Sequence, residues 1–482
     1  MRVHAPGAVG PGTPAWPHVE GEGALCLRAL PLDVERHVRL AISDAFDILG
    51  MDDATRTEEF GREFIPYWGR RTGTIPEARS LVVPGGPTRP IVWARWDKSY
   101  IFAEDKAALT HWLTHSGHKA DDIHRSRLVR LATAPSPDDY PKMGADLIAL
   151  DPQLRDLCER RAPLPVLIDV PTPGGTSQVA VVIQPPDVPG LPKRAHPVSA
   201  DRRDQVFGNA PVARMSVMRQ DHAWVHGRDQ NSAAATLSDK VVGVVGCGAL
   251  GSEIVRLLAA AGTGQFVLVD KDRMESANTT RHTLGASSVG QGKAPALSSH
   301  VARQFPHLAK SMCYHRAFED LGDEALNELA SCNLLIAAGV DALAIIRICR
   351  WRDGLDDPPP LLVAWTEEFA CAGHAILVEP GLTSDTFLNS RGRPVANLTS
   401  DWPLAAAVNV TPAGCGSAFQ PYTATDMMGT VQTTTRLALD VLLKGTPAPV
   451  HRVWLGDRSV PEALGAKLSG AFDGSRREKE LL

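Results

Sequence analysis

Between residues 246 and 293 the chain sets out, in one order, side chains suited to holding and activating a nucleotide. In VVGVVGCGALGSE (241–253), Gly246, Gly248 and Gly251 form Gly-x-Gly-x-x-Gly where a run of small β-branched residues gives way to a helical pattern. The first glycine permits a tight turn. The second lets a phosphate approach the backbone, and the third lets helix pack on strand. The helix N-terminus then offers free N–H groups to phosphate oxygens. Asp270 ends the next apolar run, 24 residues after Gly246, where it can bind a ribose hydroxyl. Up to this point NAD and ATP fit equally well.

The following stretch, VDKDRMESANTTRHTLGASSVGQGKA (269–294), separates them. A dehydrogenase has no need for Asn278, Arg281 and Lys293 in this order. An adenylating enzyme must hold a triphosphate, neutralise charge as a carboxylate attacks the α-phosphate, and let pyrophosphate leave. An Arg and a Lys past the ribose acid suit that task. An acyl adenylate can then pass to a thiol, which must be exposed and favoured as thiolate. Cys415 stands in a Gly-rich loop before a long helical pattern, in TPAGCGSAFQPYTATDMMGTVQTTTRLALDVLL (411–443). Cys371, in EEFACAGHAILVEP, reads as strand core, and Cys247 as a small filler inside the glycine loop.

The elements that must position these residues come from periodicity. Helices are expected over 33–49 and 106–115, and strands at SLVVP, PIVWARW and YIFAE. VLIDV (166–170) and VAVVI (179–183) read as a hairpin with a long loop, PTPGGTSQ, and 185–197 as a linker. From about residue 200 strands alternate with helices, the rhythm of a mostly parallel sheet covered by helices. Residues 1–17, rich in Gly and Pro, are expected to be poorly ordered.

Bulk numbers exclude several classes. Of 482 residues, 44% are hydrophobic and 22% charged, with a net charge of −5, so nothing favours nucleic acid or an anionic membrane. No apolar run approaches the roughly 20 residues needed to span a bilayer. The N-terminus lacks a signal-peptide core, and the chain reads as cytoplasmic. The eight cysteines form no Cys-x-x-Cys, against a structural zinc.

The order glycine loop, Asp270-x-Asp272, Asn278-x-x-Arg281 and then Lys293 resembles the ThiF and ubiquitin-activating enzyme family over roughly residues 205–445. That resemblance implies a domain that uses ATP to adenylate the C-terminal glycine of a ubiquitin-like protein or carrier. Asp270 would hold the ribose; Asn278, Arg281 and Lys293 would hold phosphates. Asp341, in LLIAAGVDALAIIR, matches the family's Asp that helps place Mg²⁺, although the usual Asp-Asn is Asp341-Ala342 here. An Arg upstream of the glycine loop reaches a partner subunit's ATP in many members. Arg219, with Arg214 and Arg228 nearby, is the candidate, and it would imply a homodimer. The Cys415 segment resembles the catalytic-cysteine segment of autophagy-type activating enzymes.

At the N-terminus, WPHVEGEGALCL (16–27) resembles the active-site segment of ubiquitin-conjugating enzymes. His18 stands for that family's Asn, Gly23 matches its turn glycine, and Cys26-Leu27 its Cys-Leu. A His there could donate a hydrogen bond to the oxyanion of an attacked thioester. EEFGREFIPYW (58–68) strengthens the likeness. Only 25 residues precede Cys26, so a truncated conjugating-enzyme-like domain is expected.

The expected fold class is α/β. A Rossmann-like ThiF adenylation domain (201–482), a mostly parallel sheet with helices on both faces, follows a smaller truncated α+β conjugating-enzyme-like region (1–120) and an accessory region (121–200). The fusion order resembles CBASS-type bacterial conjugating–activating fusion proteins. It implies thioester transfer to Cys415, then to Cys26, and conjugation in antiphage defence, with a ubiquitin-like protein or a cGAS-like nucleotidyltransferase as partner. The rivals are a sulfur-carrier adenylyltransferase of thiamine or molybdopterin type, a nucleotide-binding scaffold with a decayed site, and a nicotinamide dehydrogenase.

Overall fold

The computed structural model describes residues 4–5, 15–20, 23–27, 33–69, 77–119, 122–158, 163–184, 205–403, 422–472 and 477–481. They fall into two units, Met1–Asp221 and His222–Leu482.

In the first unit, seven strands close into a barrel: β1 (Glu77–Ser80), β2 (Arg89–Trp96), β3 (Ser99–Ala103), β4 (Ile123–Arg130), β5 (Leu164–Thr172), β6 (Gly175–Ile183) and β7 (Val212–Arg219). Their order is β1-β3-β2-β4-β5-β6-β7, and β1 pairs with β7 in parallel to shut the ring. β5 is buried from Leu164 to Val170 and β6 from Gln178 to Ile183, because both faces are covered there. Leu167 and Val182 point to a cluster with Phe102 and Leu128. Their neighbours Val166 and Ile168, one residue out of phase, point to Phe64, Trp68 and Leu147.

Two local expectations fail here. The long hairpin loop is in fact strand: β5 and β6 pair out to Thr172 and Gly175, and the turn is Pro173–Gly174. Gly175, at φ +121°, permits so tight a reversal. The strand expected at 80–84 ends at Ser80, whose hydroxyl takes the Val82 N–H at 3.1 Å and diverts the chain. The expected boundaries near 120 and 200 also do not coincide with the units. Strands β4–β6 complete the same barrel as β1–β3, and β7 extends it to Arg219.

Around the barrel lie α1 (Val34–Leu49), α2 (Asp53–Arg62), α3 (Phe64–Gly69), α4 (Lys106–His115), α5 (Gly144–Leu150) and α6 (Leu154–Leu157). Asp33, Asp52 and Asp105 cap the first, second and fourth of these by accepting a backbone N–H of the opening turn.

The second unit is built on an eight-stranded sheet. Its strands are β8 (Val241–Val245), β9 (Gln265–Val269), β10 (Met312–Tyr314), β11 (Leu334–Ala338), β12 (Leu361–Thr366), β13 (Ala372–Val378), β15 (Val450–Leu455) and β17 (Arg477–Glu480). A separate pair, β14 (Thr399–Ser400) and β16 (Lys467–Leu468), lies outside it. The sheet order is β10-β9-β8-β11-β12-β13-β15-β17. Strands β10, β9, β8, β11 and β12 are parallel; β13, β15 and β17 are antiparallel. Alternation again splits the faces. Val242, Val244 and Ile336 pack under helices Ala249–Ala261 and Ala424–Lys444, through Ile254, Leu258, Val431 and Leu437. Val245, Leu335 and Ala337 pack under Ala342–Arg352, through Ile345 and Ile348. Helices therefore cover both faces of an α/β sheet, as the sequence rhythm implied.

One polar knot interrupts this core. The buried Glu367 carboxylate accepts from His374 Nε2 at 2.7 Å, from the backbone N–H groups of Leu398 and Thr399, and from the Thr399 hydroxyl. His374 Nδ1 meets His451 Nε2 at 3.0 Å, and Trp365 stacks on the His374 ring at 4.5 Å. Burial pushes His451 down to about 4. Among the described residues, no helix is long and apolar enough to cross a membrane.

Candidate functional site

The chain leaves β8 for β9 on one side and later enters β11 on the other. The ends of these three strands therefore open a crevice at a topological switch point. A cavity of about 320 Å³ lies there, with Gly246, Gly248, Asp270, Asp272, Lys293 and Asp341 on its wall.

The glycine loop has little freedom to be anything else. Gly246 sits at φ +93°, and a Cβ there would lie 2.3 Å from the Ala338 carbonyl oxygen. A Cβ on Gly251 would lie 1.9 Å from the Gly246 carbonyl oxygen, so helix and loop touch backbone to backbone. Gly248, by contrast, faces open space at the start of helix Ala249–Ala261, leaving room for a phosphate at the helix N-terminus.

Asp270 ties the strand ends together. One carboxylate oxygen accepts from the Cys247 N–H and the other from the Asp272 N–H, both at 2.7 Å. Burial pushes its carboxyl above the usual range, against the pull of those N–H donors and of Lys293. Each oxygen keeps a lone pair that a ribose hydroxyl can use. Lys293 is held twice by Asp272. Its N–H donates to the Asp272 carbonyl at 2.9 Å, and Nζ lies 3.1 Å from Oδ2. The ammonium is thereby pinned beside the glycine loop. Asp341 caps helix Ala342–Arg352 by accepting the Ala344 N–H at 2.8 Å. Its other oxygen makes no hydrogen bond among the described residues. An exposed carboxylate with a spare oxygen on the cavity wall is the donor chemistry a hard divalent cation takes.

Two expected phosphate ligands do not line the cavity. Asn278 Oδ1 accepts the Glu275 N–H at 3.0 Å and closes a short turn. The Arg281 guanidinium lies 4.8 Å from the Tyr422 ring centroid. Arg219 belongs to the first unit, buried in a bidentate pair with Asp221 at 2.8 Å on both arms. Arg214 lies over the Tyr140 ring at 5.0 Å. Cys415 lies outside the described residues. Cys371 and Cys247 are both buried, and burial raises both thiols. Cys26 is exposed.

The structure adds residues that spacing did not single out. His282 is buried beneath the glycine loop: the Leu284 N–H donates to Nδ1 at 3.0 Å, so Nε2 carries the proton and donates to the Cys247 carbonyl at 2.7 Å. Burial pushes it down to about 4. Arg316 and the Arg347–Glu319 ion pair (2.7 Å) line the far wall of the cavity. A lone His or Arg at irregular spacing carries no sequence signal for such roles.

Residues 227–350 match the ThiF family. The chain is 26% identical over 479 residues to the ATP-dependent ubiquitin transferase-like protein Cap2 of Pseudomonas aeruginosa, covering 92% of this chain and 83% of that one. It is 34% identical over 110 residues to the molybdopterin-synthase adenylyltransferase of Salmonella typhimurium, covering 23% of this chain and 43% of that one. Among solved structures, MccB of E. coli with ATP superposes with a TM-score of 0.33 at 13% identity, over 52% of this chain and 64% of that one.

Proposed function

We propose, on the footing of the ThiF-family match over residues 227–350, that the chain is an ATP-dependent activating enzyme for the C-terminal carboxylate of a ubiquitin-like protein. The observation that carries this reading is the single cavity wall shared by the glycine loop, Asp270, the Asp272–Lys293 pair and Asp341. Asp270 binds the ribose, and the N–H groups at the start of helix Ala249–Ala261 take phosphate oxygens. Lys293 swings from Asp272 to the triphosphate as charge builds. The incoming glycine carboxylate attacks the α-phosphorus: a P–O bond forms to it, the bond to the bridging oxygen breaks, and pyrophosphate departs. Asp341 would hold Mg²⁺, which neutralises triphosphate charge when bound.

In the second stage a thiol attacks the acyl adenylate. The S–C bond forms, the C–O bond to AMP breaks, and the thiol proton leaves with AMP or solvent. Cys415 is the proposed first acceptor and Cys26 the second, with an amine as final acceptor. Arg281 and Asn278 would have to leave Tyr422 and the Glu275 turn to reach phosphates, so their part belongs to a nucleotide-bound arrangement. The Cap2 likeness over most of the chain supports conjugation. The finer reading is antiphage defence, with a ubiquitin-like protein or cGAS-like nucleotidyltransferase as partner and a homodimer as the working form. The molybdopterin-type alignment keeps a sulfur-carrier adenylyltransferase as the second reading, which would use the same ATP site without Cys26.

ATP–pyrophosphate exchange with a glycine-ended candidate carrier tests the proposal. Carrier-dependent exchange lost in Asp341→Ala supports it. Absence of exchange alongside measurable NAD binding overturns it. Dependence of the final product on Cys26 decides against the sulfur-carrier reading.

A further inference from the structure

Three histidines of the second unit gather where helix Ala249–Ala261 ends, at the opposite end from the glycine loop. His222 and His226 come from the short helix His222–Val225 and the residue after it, and His307 from the loop that follows helix Lys293–Gln304. The His226 ring centroid lies 4.5 Å from that of His222 and 4.9 Å from that of His307. Gly262 closes the helix at φ +106°, and a Cβ there would lie 3.1 Å from the His222 ring and 3.3 Å from the His226 ring, so only glycine lets the imidazoles in. Phe305 orients both members of the closer-facing pair, stacked on His226 and edge-on to His307, each at 6.3 Å.

The hydrogen bonds assign the protons. His226 Nδ1 lies 3.1 Å from the Ala260 carbonyl oxygen, and a carbonyl only accepts. Nδ1 therefore carries the proton and Nε2 presents a lone pair. That lone pair meets His307 Nε2 at 2.8 Å, so one proton bridges the two nitrogens. Moving it to His307 Nδ1 leaves two lone pairs directed at one point. A tetrahedral ion with bonds of about 2.0–2.1 Å to nitrogen sets its ligands about 3.3 Å apart, so the rings need to part by only about half an ångström. A ring N–H donated to a backbone carbonyl, as His226 does, is the support that metal-ligating imidazoles use. The Ala260 carbonyl belongs to the negative end of the helix dipole, which favours a cation nearby. Burial lowers His226, and lowers His307 to about 3, so neither ring holds a second proton at neutral pH.

We propose that His226 and His307 bind one divalent cation of the class that prefers imidazole, Zn²⁺, Ni²⁺ or Cu²⁺, through their Nε2 atoms, with solvent completing the coordination. His222 is not a ligand: its Nε2 donates to the Gly262 carbonyl at 2.7 Å, and the trio does not bring three ligand atoms within 4.8 Å of one another. Two imidazoles and water suit a borderline ion, whereas Mg²⁺ prefers oxygen ligands and passes the site over. The 13-residue helix spans about 20 Å, so this ion is separate from one held by Asp341 near the glycine loop. Bound there, it ties His226 and the loop carrying His307 to the rear of the helix whose front faces the nucleotide cavity.

Zn²⁺ titrated into the tag-free full-length protein with Mg²⁺ in excess, read by hydrogen exchange, tests it. With free Zn²⁺ at ten times its Kd, exchange of the His226, Gly262 and Leu308 amides should slow about tenfold. His226→Gln and His307→Gln should each remove that Zn²⁺-dependent protection, and His222→Gln should keep it. Protection of β8 and β9 without Zn²⁺ reports that a variant is folded. Where a variant has lost it, the Co²⁺ form of the wild type decides: visible bands of nitrogen and oxygen coordination are expected, and a thiolate charge-transfer band would overturn the proposal by placing the ion on a cysteine. Absence of Zn²⁺-dependent protection at these amides, or protection that survives both substitutions in folded variants, would also overturn it. So would protection abolished by Glu59→Gln, which would move the ion to the His18, Glu59 and Glu63 group of the first unit.

Discussion

Replacing His282 with leucine isolates what fixes the glycine loop. The substitution keeps an apolar body in place but orphans two buried backbone groups, the Cys247 carbonyl and the Leu284 N–H. Each costs about 1–3 kcal/mol when left unpaired. Relief of imidazole desolvation offsets part of this, leaving a net loss of about 3 kcal/mol at pH 7. The pH dependence supplies an independent figure. Burial takes His282 from 6.5 to about 4, with the bond to Cys247 pulling the other way. Its folded value lies below its unfolded one, so its contribution to stability is complete above 6.5 and is lost as pH falls toward 4. That linkage amounts to about 3 kcal/mol. The leucine variant lacks it. The gap between wild type and variant should therefore be about 3 kcal/mol at pH 7 and nearly closed at pH 4. His451 and His307, also lowered by burial, affect both proteins alike and cancel in the difference. Because the chain has two units, one unfolding free energy is ill defined. Hydrogen exchange of peptides spanning 242–258, normalised for intrinsic rates at each pH, reads the right region. Unchanged protection in the variant at pH 7, or a gap constant from pH 7 to pH 4, would refute this account.

Other outcomes follow from the same geometry. Gly251→Ala drives a methyl to 1.9 Å from the Gly246 carbonyl oxygen, and the loop must move to clear it; ATP affinity by calorimetry should fall more than about tenfold. Asp270→Asn relieves a carboxylate that burial disfavours but turns an amide N–H₂ toward the N–H of Cys247 or Asp272, so the thermal midpoint should fall while ATP affinity by calorimetry drops about tenfold or more; unchanged affinity would contradict the ribose role. Glu367→Gln puts an amide N–H₂ among the His374, Leu398 and Thr399 donors. It should cost about 3 kcal/mol in the second unit, seen as faster exchange in β13 and β15, whereas a surface-like cost below about 0.5 kcal/mol would contradict the knot.

The parallel half of the sheet was legible because β8, β9, β11 and β12 are short apolar runs, buried on both faces. The glycine loop and Asp270 were legible because backbone geometry permits so few residues there. The barrel was not, because its strands β4 and β7 are interrupted by arginines, Arg125, Arg127 and Arg130 in one and Arg214 and Arg219 in the other, and read as neither core strand nor helix. IHRSRLVR and VARMSVMR show their role only once paired. Asn278 and Arg281 sit in the expected order, yet order along a loop does not fix which way a side chain turns. One closes its own turn and the other covers an aromatic ring. His282 could not be singled out, because its function is a hydrogen bond to a backbone carbonyl 35 residues away in sequence.

The free borders of the eight-stranded sheet are poor templates for another chain. On one side β10 offers only Met312–Tyr314, too short to recruit a long strand. On the other, β17 reads Arg-Glu-Lys-Glu, a row of charges that an approaching backbone would have to desolvate. The seven-stranded ring has no border at all. Among the described residues, neither border of the eight-stranded sheet invites a second copy to extend it by strand addition.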